Sequence, residues 1–337
     1  MAELVLGVDA GGTSSRAALF TMDGTPLGRG RAAGANPVTL GQDAARAALT
    51  AAVRAALGDA SDQVSAVVVG LAGNPARCLA LAREVFAALL PGGPPVRVVG
   101  DVVTAFAAGT ASPSGAVLIS GTGAIAAKIT DHAVTATADG YGWLLGDEGS
   151  AFWLGHAAAR HAVRALDGPR PLGALARLVV TRLAGEGEPA AVELGAAELG
   201  AEELGAEELA AAVYGRAPLA LAELAPLVGR AAEAGDPAAL AIVAEAARLL
   251  ARTAGRVREP GLPVVLAGGV LTTDGPVRRA VRDLLNARRD GRGDVVVAGD
   301  PAGAAAWLAA RPLLGPHRAA RLHRRFTAPP ADGSVRP

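Results

Sequence analysis

Cysteine is almost absent from this 337-residue sequence, which contains only Cys78. A single thiol cannot form a disulfide within the chain, and it cannot build a cysteine-rich zinc or iron–sulfur site by itself. Aromatic residues are also scarce, at 3% against 51% hydrophobic residues overall, so the core has to be built from Ala, Val and Leu. The composition therefore excludes a small domain stabilised by disulfides or by cysteine-bound metal.

Net charge and long apolar runs are missing as well. The 32 Lys and Arg residues balance 32 Asp and Glu residues, so no overall field attracts nucleic acid or an acidic membrane, and a small-molecule ligand is expected. The sequence contains no run of about 18 apolar residues, the length needed to span a bilayer. Residues 1–7 lack the pattern of a secretory signal. We expect a cytoplasmic protein with neither nucleic-acid nor membrane partners. The oligomeric state, a homodimer included, is left open.

Strand and helix patterns alternate along the chain, which predicts an α/β protein. The length fits two lobes of roughly 100–200 residues each, here 1–112 and 113–300, with a helix at 301–311 joining the first lobe. The predicted strands are 4–9, 16–20, 64–69, 96–99, 116–120, 264–267 and 295–298. The predicted helices are 42–57, 77–90, 152–183, 219–257 with an interruption at 235–237, and 302–310.

Two segments are predicted to lie outside this core. Leu194, Leu199, Leu204 and Leu209 recur every five residues, a period that cannot place them on one helical face, so residues 193–209 are interpreted as a solvated Glu-rich insertion without chemistry. Residues 312–337 are rich in Arg and Pro and are predicted to be disordered.

The first motif with chemical potential is the glycine turn between the first two predicted strands. Gly11 and Gly12 allow backbone N–H groups to approach phosphate oxygens without a side-chain clash. Thr13 adds a hydroxyl donor, and Asp9 is placed to hold Mg²⁺ through water. An ordinary Gly-Gly hairpin is the alternative interpretation.

Two further glycine turns also follow predicted strands. Gly121, Thr122 and Gly123 come about 110 residues after the first turn, as expected for two similar lobes that face one nucleotide. Gly268 and Gly269 would let backbone pack against an adenosine, although either turn alone could be purely structural. The sequence contains neither the P-loop pattern nor the Gly-x-Gly-x-x-Gly of a dinucleotide fold.

In this order the three turns resemble the phosphate-1, phosphate-2 and adenosine motifs of the actin/hexokinase/heat-shock-chaperone superfamily. Residues 140–151, Gly-Tyr-Gly-Trp-Leu-Leu-Gly-Asp-Glu-Gly-Ser-Ala, resemble a segment of N-acetylglucosamine kinases and of the related BadF/BadG-type ATPases. Residues 34–37 and 100–101 fall where that family keeps a sugar-binding asparagine and a catalytic aspartate. Together the similar segments cover roughly residues 5 to 310, without the insertion and the tail.

The resemblance implies two similar lobes of the actin/hexokinase (ribonuclease H-like) type with the active site in the cleft between them. It also implies an ATP- and Mg²⁺-dependent kinase that phosphorylates the 6-hydroxyl of an amino sugar, N-acetylglucosamine first. Asp101 would be the general base, and Glu148 would support the sugar loop. The implied nucleotide-binding residues are Asp9, Gly11, Gly12, Thr13, Gly121, Thr122, Gly123, Gly268 and Gly269, with Asp9 at the metal. The implied sugar-binding residues are Asn36, Asp101, Gly140, Tyr141, Gly142 and Asp147.

Two positions differ from the amino-sugar kinase pattern, since Tyr141 replaces a Trp and Ala124 a Ser. They bear on the acetyl group, so glucosamine and N-acetylmuramic acid stay open as substrates, as do another sugar and an ATPase role without sugar. The related iron–sulfur activators need two cysteines from each of two subunits, which Cys78 alone does not supply. A sugar-responsive repressor would need a DNA-binding domain ahead of the first turn. Asp101 could also simply cap a helix, and Asn36 and Asp147 could be turn residues.

Overall fold

The protein is built around two five-stranded β-sheets. The computed structural model describes residues 3–38, 40–185, 205–287 and 293–329. The first sheet has the spatial order β3-β2-β1-β4-β5 and contains β1 (Leu4–Ala10), β2 (Ser14–Thr21), β3 (Pro26–Ala33), β4 (Val64–Leu71) and β5 (Val96–Gly100). The second has the order β10-β9-β6-β7-β8 and contains β6 (Gly115–Ser120), β7 (Ala124–Thr130), β8 (Ala133–Asp139), β9 (Val264–Ala267) and β10 (Val295–Val297).

The two sheets repeat one pattern of connections. In the first, β1 pairs antiparallel with β2 and parallel with β4; in the second, β6 pairs antiparallel with β7 and parallel with β9. The central strands β1 and β6 are buried along most of their length, which explains their nearly continuous apolar sequences. The predicted α/β fold with two similar halves is confirmed, whereas the lobe limits 1–112 and 113–300 stay a prediction.

Helices surround the sheets, and several begin where the sequence supplies a start signal. Asn74, Asp236 and Asp300 each accept backbone N–H groups of a first turn and are each followed by a proline. None of the described helices has the length and apolar character that a membrane crossing requires. The helices are α1 (Gln42–Leu57), α2 (Pro75–Leu89), α3 (Asp101–Ala107), α4 (Ala151–Leu166), α5 (Ala174–Leu183), α6 (Ala206–Tyr214), α7 (Ala225–Glu233), α8 (Pro237–Gly255), α9 (Gly269–Thr272), α10 (Pro276–Ala287), α11 (Pro301–Leu314) and α12 (Pro316–Thr327).

Several predicted elements differ from the observed ones. The helix predicted at 152–183 is two helices, because Pro169 and Pro171 lie between α4 and α5 and cannot continue a helix. Strands β3, β7 and β8 were not predicted. β3 begins with Pro26 and contains two glycines, a composition that is tolerated because β3 lies at the edge of its sheet.

The prediction of a disordered tail is wrong for residues 312–329. Helix α12 packs against α11 and the first sheet: Phe326 lies 5.0 Å from Phe20 between ring centroids, and the Trp307 indole donates a hydrogen bond to the Ala319 carbonyl at 2.8 Å. The buried residues Ala319, His323 and Phe326 have helical spacing. The Arg-rich composition reflects the opposite face of an amphipathic helix; residues 330–337 lie outside the described residues.

The prediction of a solvated insertion at 193–209 is wrong at its C-terminal end. Leu209 belongs to α6 and is completely buried in the core of the second sheet. Leu194, Leu199 and Leu204 lie outside the described residues. The five-residue spacing therefore does not predict that Leu209 packs in the core as part of α6, which begins at Ala206.

Candidate active site

A cavity of about 690 Å³ is lined by residues from both sheets. Asp9 and the first glycine turn lie on one side of it, and the second and third glycine turns lie on the other. The predicted site residues that line it are Asp9, Gly11, Thr13, Asp101, Gly121, Gly268 and Gly269. Those that do not line it are Gly12, Asn36, Thr122, Gly123, Gly140, Tyr141, Gly142 and Asp147.

The first turn is a tight hairpin between β1 and β2. The Gly11 N–H donates to the Ser14 carbonyl at 3.0 Å, and the Gly11 carbonyl accepts a hydrogen bond from the Ala35 N–H at 3.1 Å. A Cβ on Gly12 would meet nothing within 4 Å, so the space beside the turn is open. This open backbone surface offers N–H groups to an anion.

The second and third turns contact each other at the opposite wall. Gly268 adopts a φ of 81°, and a Cβ at this position would lie 2.3 Å from the Ser120 carbonyl oxygen. Only glycine combines this left-handed conformation with so close an approach. The contact joins the end of β6 to the end of β9, so both turns face the cavity as one surface.

Three carboxyl groups line the same cavity; Asp300 is paired with Arg29, whereas Asp9 and Asp101 form no ion pair in the described part of the chain. Burial raises the pKa of Asp9 to about 7; the Thr104 hydroxyl and the Arg16 charge oppose the shift, while the Asp101 charge adds to it. Burial also raises the pKa of Asp101, against a hydrogen bond from the Val102 backbone. Burial thus disfavours the charged form of both carboxyl groups, and a cation bound beside them would favour it.

Asp101 is the first residue of α3, directly after β5. Gly100 occupies the N-cap position, so Asp101 is the first helical residue and not the N-cap residue. The Asp101 carboxyl lies at the N-terminus of α3 and lines the cavity.

An arginine pair lies beside Asp9 on the same face of the first sheet. Asp9 pairs in register with Arg16, and Arg16 pairs with Arg31 across β2 and β3. Both arginines line the cavity, and in the described part of the chain neither forms an ion pair. Arg29, by contrast, is paired with Asp300. Like charges directly opposite each other destabilise a sheet, so Arg16 and Arg31 form a surface that suits an anionic ligand.

Asn36 lies beside the loop that follows β4. Its side-chain oxygen accepts a hydrogen bond from the Val38 N–H at 2.9 Å, and a Cβ on Gly73 would lie 2.8 Å from that oxygen. Cys78 is close to the same loop, and the Asp101 charge contributes to raising the thiol pKa, second to burial. Asn36 is therefore a turn residue, as the alternative interpretation expects. Contact between its side-chain NH₂ group and a sugar remains a prediction.

The loop after β8 is organised by Asp139, a residue that the sequence interpretation missed. Its carboxylate accepts three backbone N–H groups, from Gly140 at 2.8 Å, Asp147 at 2.8 Å and Glu148 at 2.9 Å. Asp139 itself has a φ of 63°. Asp followed by Gly is a turn signal, and it could have identified this position.

Asp147 points back towards the second glycine turn. A Cβ on Gly123 would lie 2.6 Å from its Oδ2 atom. Burial raises the pKa of Asp147, against hydrogen bonds from the Ala124 and Gly142 backbones. Glu148, expected to support this loop, instead reaches Arg252 at 2.6 Å on the surface.

Tyr141 lies on the exposed surface of the same loop, with 66% of its surface accessible. Leu144 and Leu145 beside it are exposed as well. The aromatic ring therefore does not contact the cavity in this structure, and contact with a sugar remains a prediction for Tyr141, Gly140 and Gly142.

The repeated sheets with a cleft between them define the actin/hexokinase class of α/β proteins. Within that class, the chain belongs to the BadF/BadG/BcrA/BcrD ATPase family, whose model matches residues 6–307. Membership of this ATPase family implies the use of ATP.

Several similar proteins have related descriptions. An N-acetyl-D-glucosamine kinase of Dictyostelium discoideum is 25% identical over 193 residues, which cover 54% of this chain and 60% of that protein. A solved structure from Chromobacterium violaceum, described as a candidate N-acetylglucosamine kinase, is 29% identical with a TM-score of 0.66, over 91% of this chain and 99% of that one. A Streptomyces griseus ROK-family glucokinase, crystallised with glucose and AMPPNP, is 18% identical with a TM-score of 0.51, over 96% of this chain and 98% of that one, and supports the fold alone.

Proposed function

We propose that this protein is an ATP-dependent kinase that transfers phosphate to the 6-hydroxyl of an amino sugar, with N-acetylglucosamine as the first candidate. The observation that carries the proposal is the position of Asp101, a carboxyl whose pKa is raised by burial, in the cavity that the glycine turns line. The names of the Dictyostelium and Chromobacterium relatives support the choice of sugar.

ATP fits the chemistry of the cavity. The turns at Gly11 and Gly121 present backbone to the space. Arg16 and Arg31 supply positive charge, and neither forms an ion pair in the described ranges. Phosphate is commonly bound by exposed backbone N–H groups at glycine turns and by guanidinium groups, and this cavity has both kinds of residue. We place the triphosphate between the two hairpin turns, with Gly268 and Gly269 on the adenosine side.

Mg²⁺ also fits, through Asp9. The residues described here contain no cluster of three or more metal-ligating side chains. Mg²⁺ in kinases is commonly held by one or two carboxylates together with water and substrate phosphates, so a single partly buried carboxylate such as Asp9 is sufficient. Its chemistry would be to neutralise charge on the phosphates. The raised pKa of Asp9 is what a cation at that carboxylate would reverse.

Asp101 acts as the general base in the proposed phosphoryl transfer. The carboxylate accepts the proton of the sugar 6-hydroxyl as that oxygen attacks the γ-phosphorus. The bond between the γ-phosphorus and the bridging oxygen breaks, and ADP leaves with the electron pair. Phosphoryl transfer depends mainly on positioning and on charge stabilisation, and the two-sided cleft provides both.

Three alternative functions differ from the proposal in the residues that they require. An iron–sulfur activator would need two thiols from each subunit, whereas Cys78 is the only cysteine and is buried. A glucosamine kinase and an ATPase without sugar substrate use the same residues around the nucleotide. They differ from the proposal at the sugar, where Tyr141 and Ala124 depart from the amino-sugar kinase pattern.

The deciding experiment measures ADP release with Mg·ATP and a panel of N-acetylglucosamine, glucosamine, N-acetylmuramic acid and glucose. NMR of the product locates the phosphate. We expect N-acetylglucosamine to exceed glucose by at least about tenfold in kcat/KM, because polar groups left unpaired by the wrong sugar are costly. ADP release that no sugar stimulates would reject the kinase; equal rates with glucose would reject only the amino-sugar preference.

A further inference from the structure

Thr104 connects the two carboxyl-bearing elements of the site. It lies in the first turns of α3, and its side chain is completely buried. Its hydroxyl is 2.6 Å from Asp9 Oδ1 on β1 and 2.8 Å from the Asp101 carbonyl oxygen in its own helix. One hydroxyl therefore contacts both a strand and a helix whose carboxyl groups line the cavity.

The neighbouring strand leaves the space that this contact needs. Gly70 on β4 pairs in register with Asp9. A Cβ on Gly70 would lie 2.5 Å from Thr104 Cγ2 and 2.6 Å from its Oγ1. Any larger residue at position 70 would displace the Thr104 side chain, so the glycine allows the hydroxyl to reach Asp9 across the sheet.

The hydroxyl has one proton for two acceptors. When Asp9 is ionised, the proton goes to its carboxylate, because a charged acceptor forms the stronger hydrogen bond. This bond occupies Oδ1 and fixes the rotation of the carboxylate about its Cβ–Cγ bond, so Oδ2 keeps a constant direction. The same bond links α3, which begins at Asp101, to β1.

We propose that Thr104 is a positioning residue that orients the Asp9 carboxylate towards the metal–nucleotide complex. Thr104 touches neither the substrate nor the reacting atoms; it acts through Asp9. Its effect on catalysis rests on the proposed kinase function, whereas its effect on metal-dependent nucleotide binding does not.

The test compares Thr104→Val, which keeps the shape and removes the hydroxyl, with Thr104→Ser, which keeps the hydroxyl and removes the methyl. Thr104→Ala provides a second loss of the hydroxyl without additional apolar bulk. For each variant, ATP binding is measured by calorimetry with and without Mg²⁺, and sugar binding is measured without nucleotide. Steady-state kinetics then give kcat and the Mg²⁺ concentration for half-maximal rate.

We expect Thr104→Val and Thr104→Ala to lose about 10–100-fold in kcat and in the Mg²⁺-dependent part of ATP affinity, as is usual for a partner that orients a metal ligand. Metal-free ATP binding and sugar binding should stay within about twofold, because neither uses the orientation of Asp9. Thr104→Ser should recover to within about threefold of the wild type, since the hydrogen bond is retained.

Three results would overturn the proposal. The first is a Thr104→Val protein with wild-type kcat and Mg²⁺ dependence. The second is an equal loss in Thr104→Ser and Thr104→Val, and the third is a loss of sugar affinity as large as the loss of metal-dependent affinity; either of these two would assign Thr104 to packing alone. If the wild type phosphorylates no sugar, the kinase proposal fails, and the calorimetric comparison still decides the role of Thr104.

Discussion

The Asp139 carboxylate accepts the backbone N–H of Asp147 at 2.8 Å, which closes the loop that carries most of the predicted sugar-binding residues. Its Oδ1 atom also accepts the Gly140 N–H, and its Oδ2 atom accepts that of Glu148. A single side chain thus determines the path of this loop.

Replacing Asp139 should destabilise the loop in a graded way. Asp139→Asn retains one acceptor oxygen, whereas Asp139→Ala leaves all three N–H groups unpaired, at about 1–3 kcal/mol for each buried group. We expect the unfolding free energy to decrease from wild type to Asp139→Asn to Asp139→Ala. The KM for sugar should increase in the same order. Urea unfolding and kinetics measure both. The exposed Asp59→Ala is the control, and an Ala variant as stable as this control would contradict the interpretation.

The role of Asp101 can be tested by Asp101→Asn, which keeps the size of the side chain but cannot take up the proton. We expect kcat to fall by about 10²–10⁴-fold, the range for loss of a general base, with ATP affinity nearly unchanged. Steady-state kinetics and nucleotide titration measure the two quantities. Turnover at the wild-type rate would remove Asp101 from the mechanism.

Arg31 tests the electrostatics of the nucleotide side. Arg31→Ala should raise the KM for ATP about 2–5-fold at low salt, because an exposed ion contact contributes up to about 1 kcal/mol. The effect should shrink as salt screens the charge. Arg31→Lys should restore most of the affinity, and Arg54→Ala on the exposed face of α1 is the control. A salt-independent loss, or none, would place the phosphates away from Arg31.

His132 gives a pH prediction for stability. It is 6% exposed, its ring nitrogens have no hydrogen-bond partner among the described residues, and burial lowers its pKa to about 4, assisted by the Arg311 and Arg97 charges and opposed by Asp131. Between pH 6.5 and 4, His132 is protonated in the unfolded state but stays neutral in the folded state. The free energy of unfolding should therefore fall as the pH falls through this window.

His132→Asn removes this titration and suits the backbone, because His132 has a φ of 56° and Asn tolerates that conformation. Urea midpoints measured from pH 7 to pH 4 should decline less steeply in the variant than in the wild type. Parallel declines would mean that His132 does not contribute to the acid sensitivity.

The sequence predicts the positions of the glycine turns because each turn directly follows its own strand, so a local pattern is enough to find them. Thr104 could not be found in this way. It stands in an ordinary helical stretch, and its importance arises from contact with Asp9, 95 residues earlier. Asp139 ends a strand that was not predicted, and α12 was concealed by composition although its buried positions have helical spacing.

The repeated sheet pattern has a consequence for how chemistry is divided between the halves. Residues 11–13 and 121–123 join equivalent strands, so the structure offers the same hairpin twice, once on each side of one cavity. The residue two positions before the first hairpin is Asp9, whereas the equivalent residue of the second is Ile119, which also lines the cavity. A ligand in this cleft therefore meets two hairpins of like architecture and unlike polarity, with an ionisable residue on one side and an aliphatic one on the other.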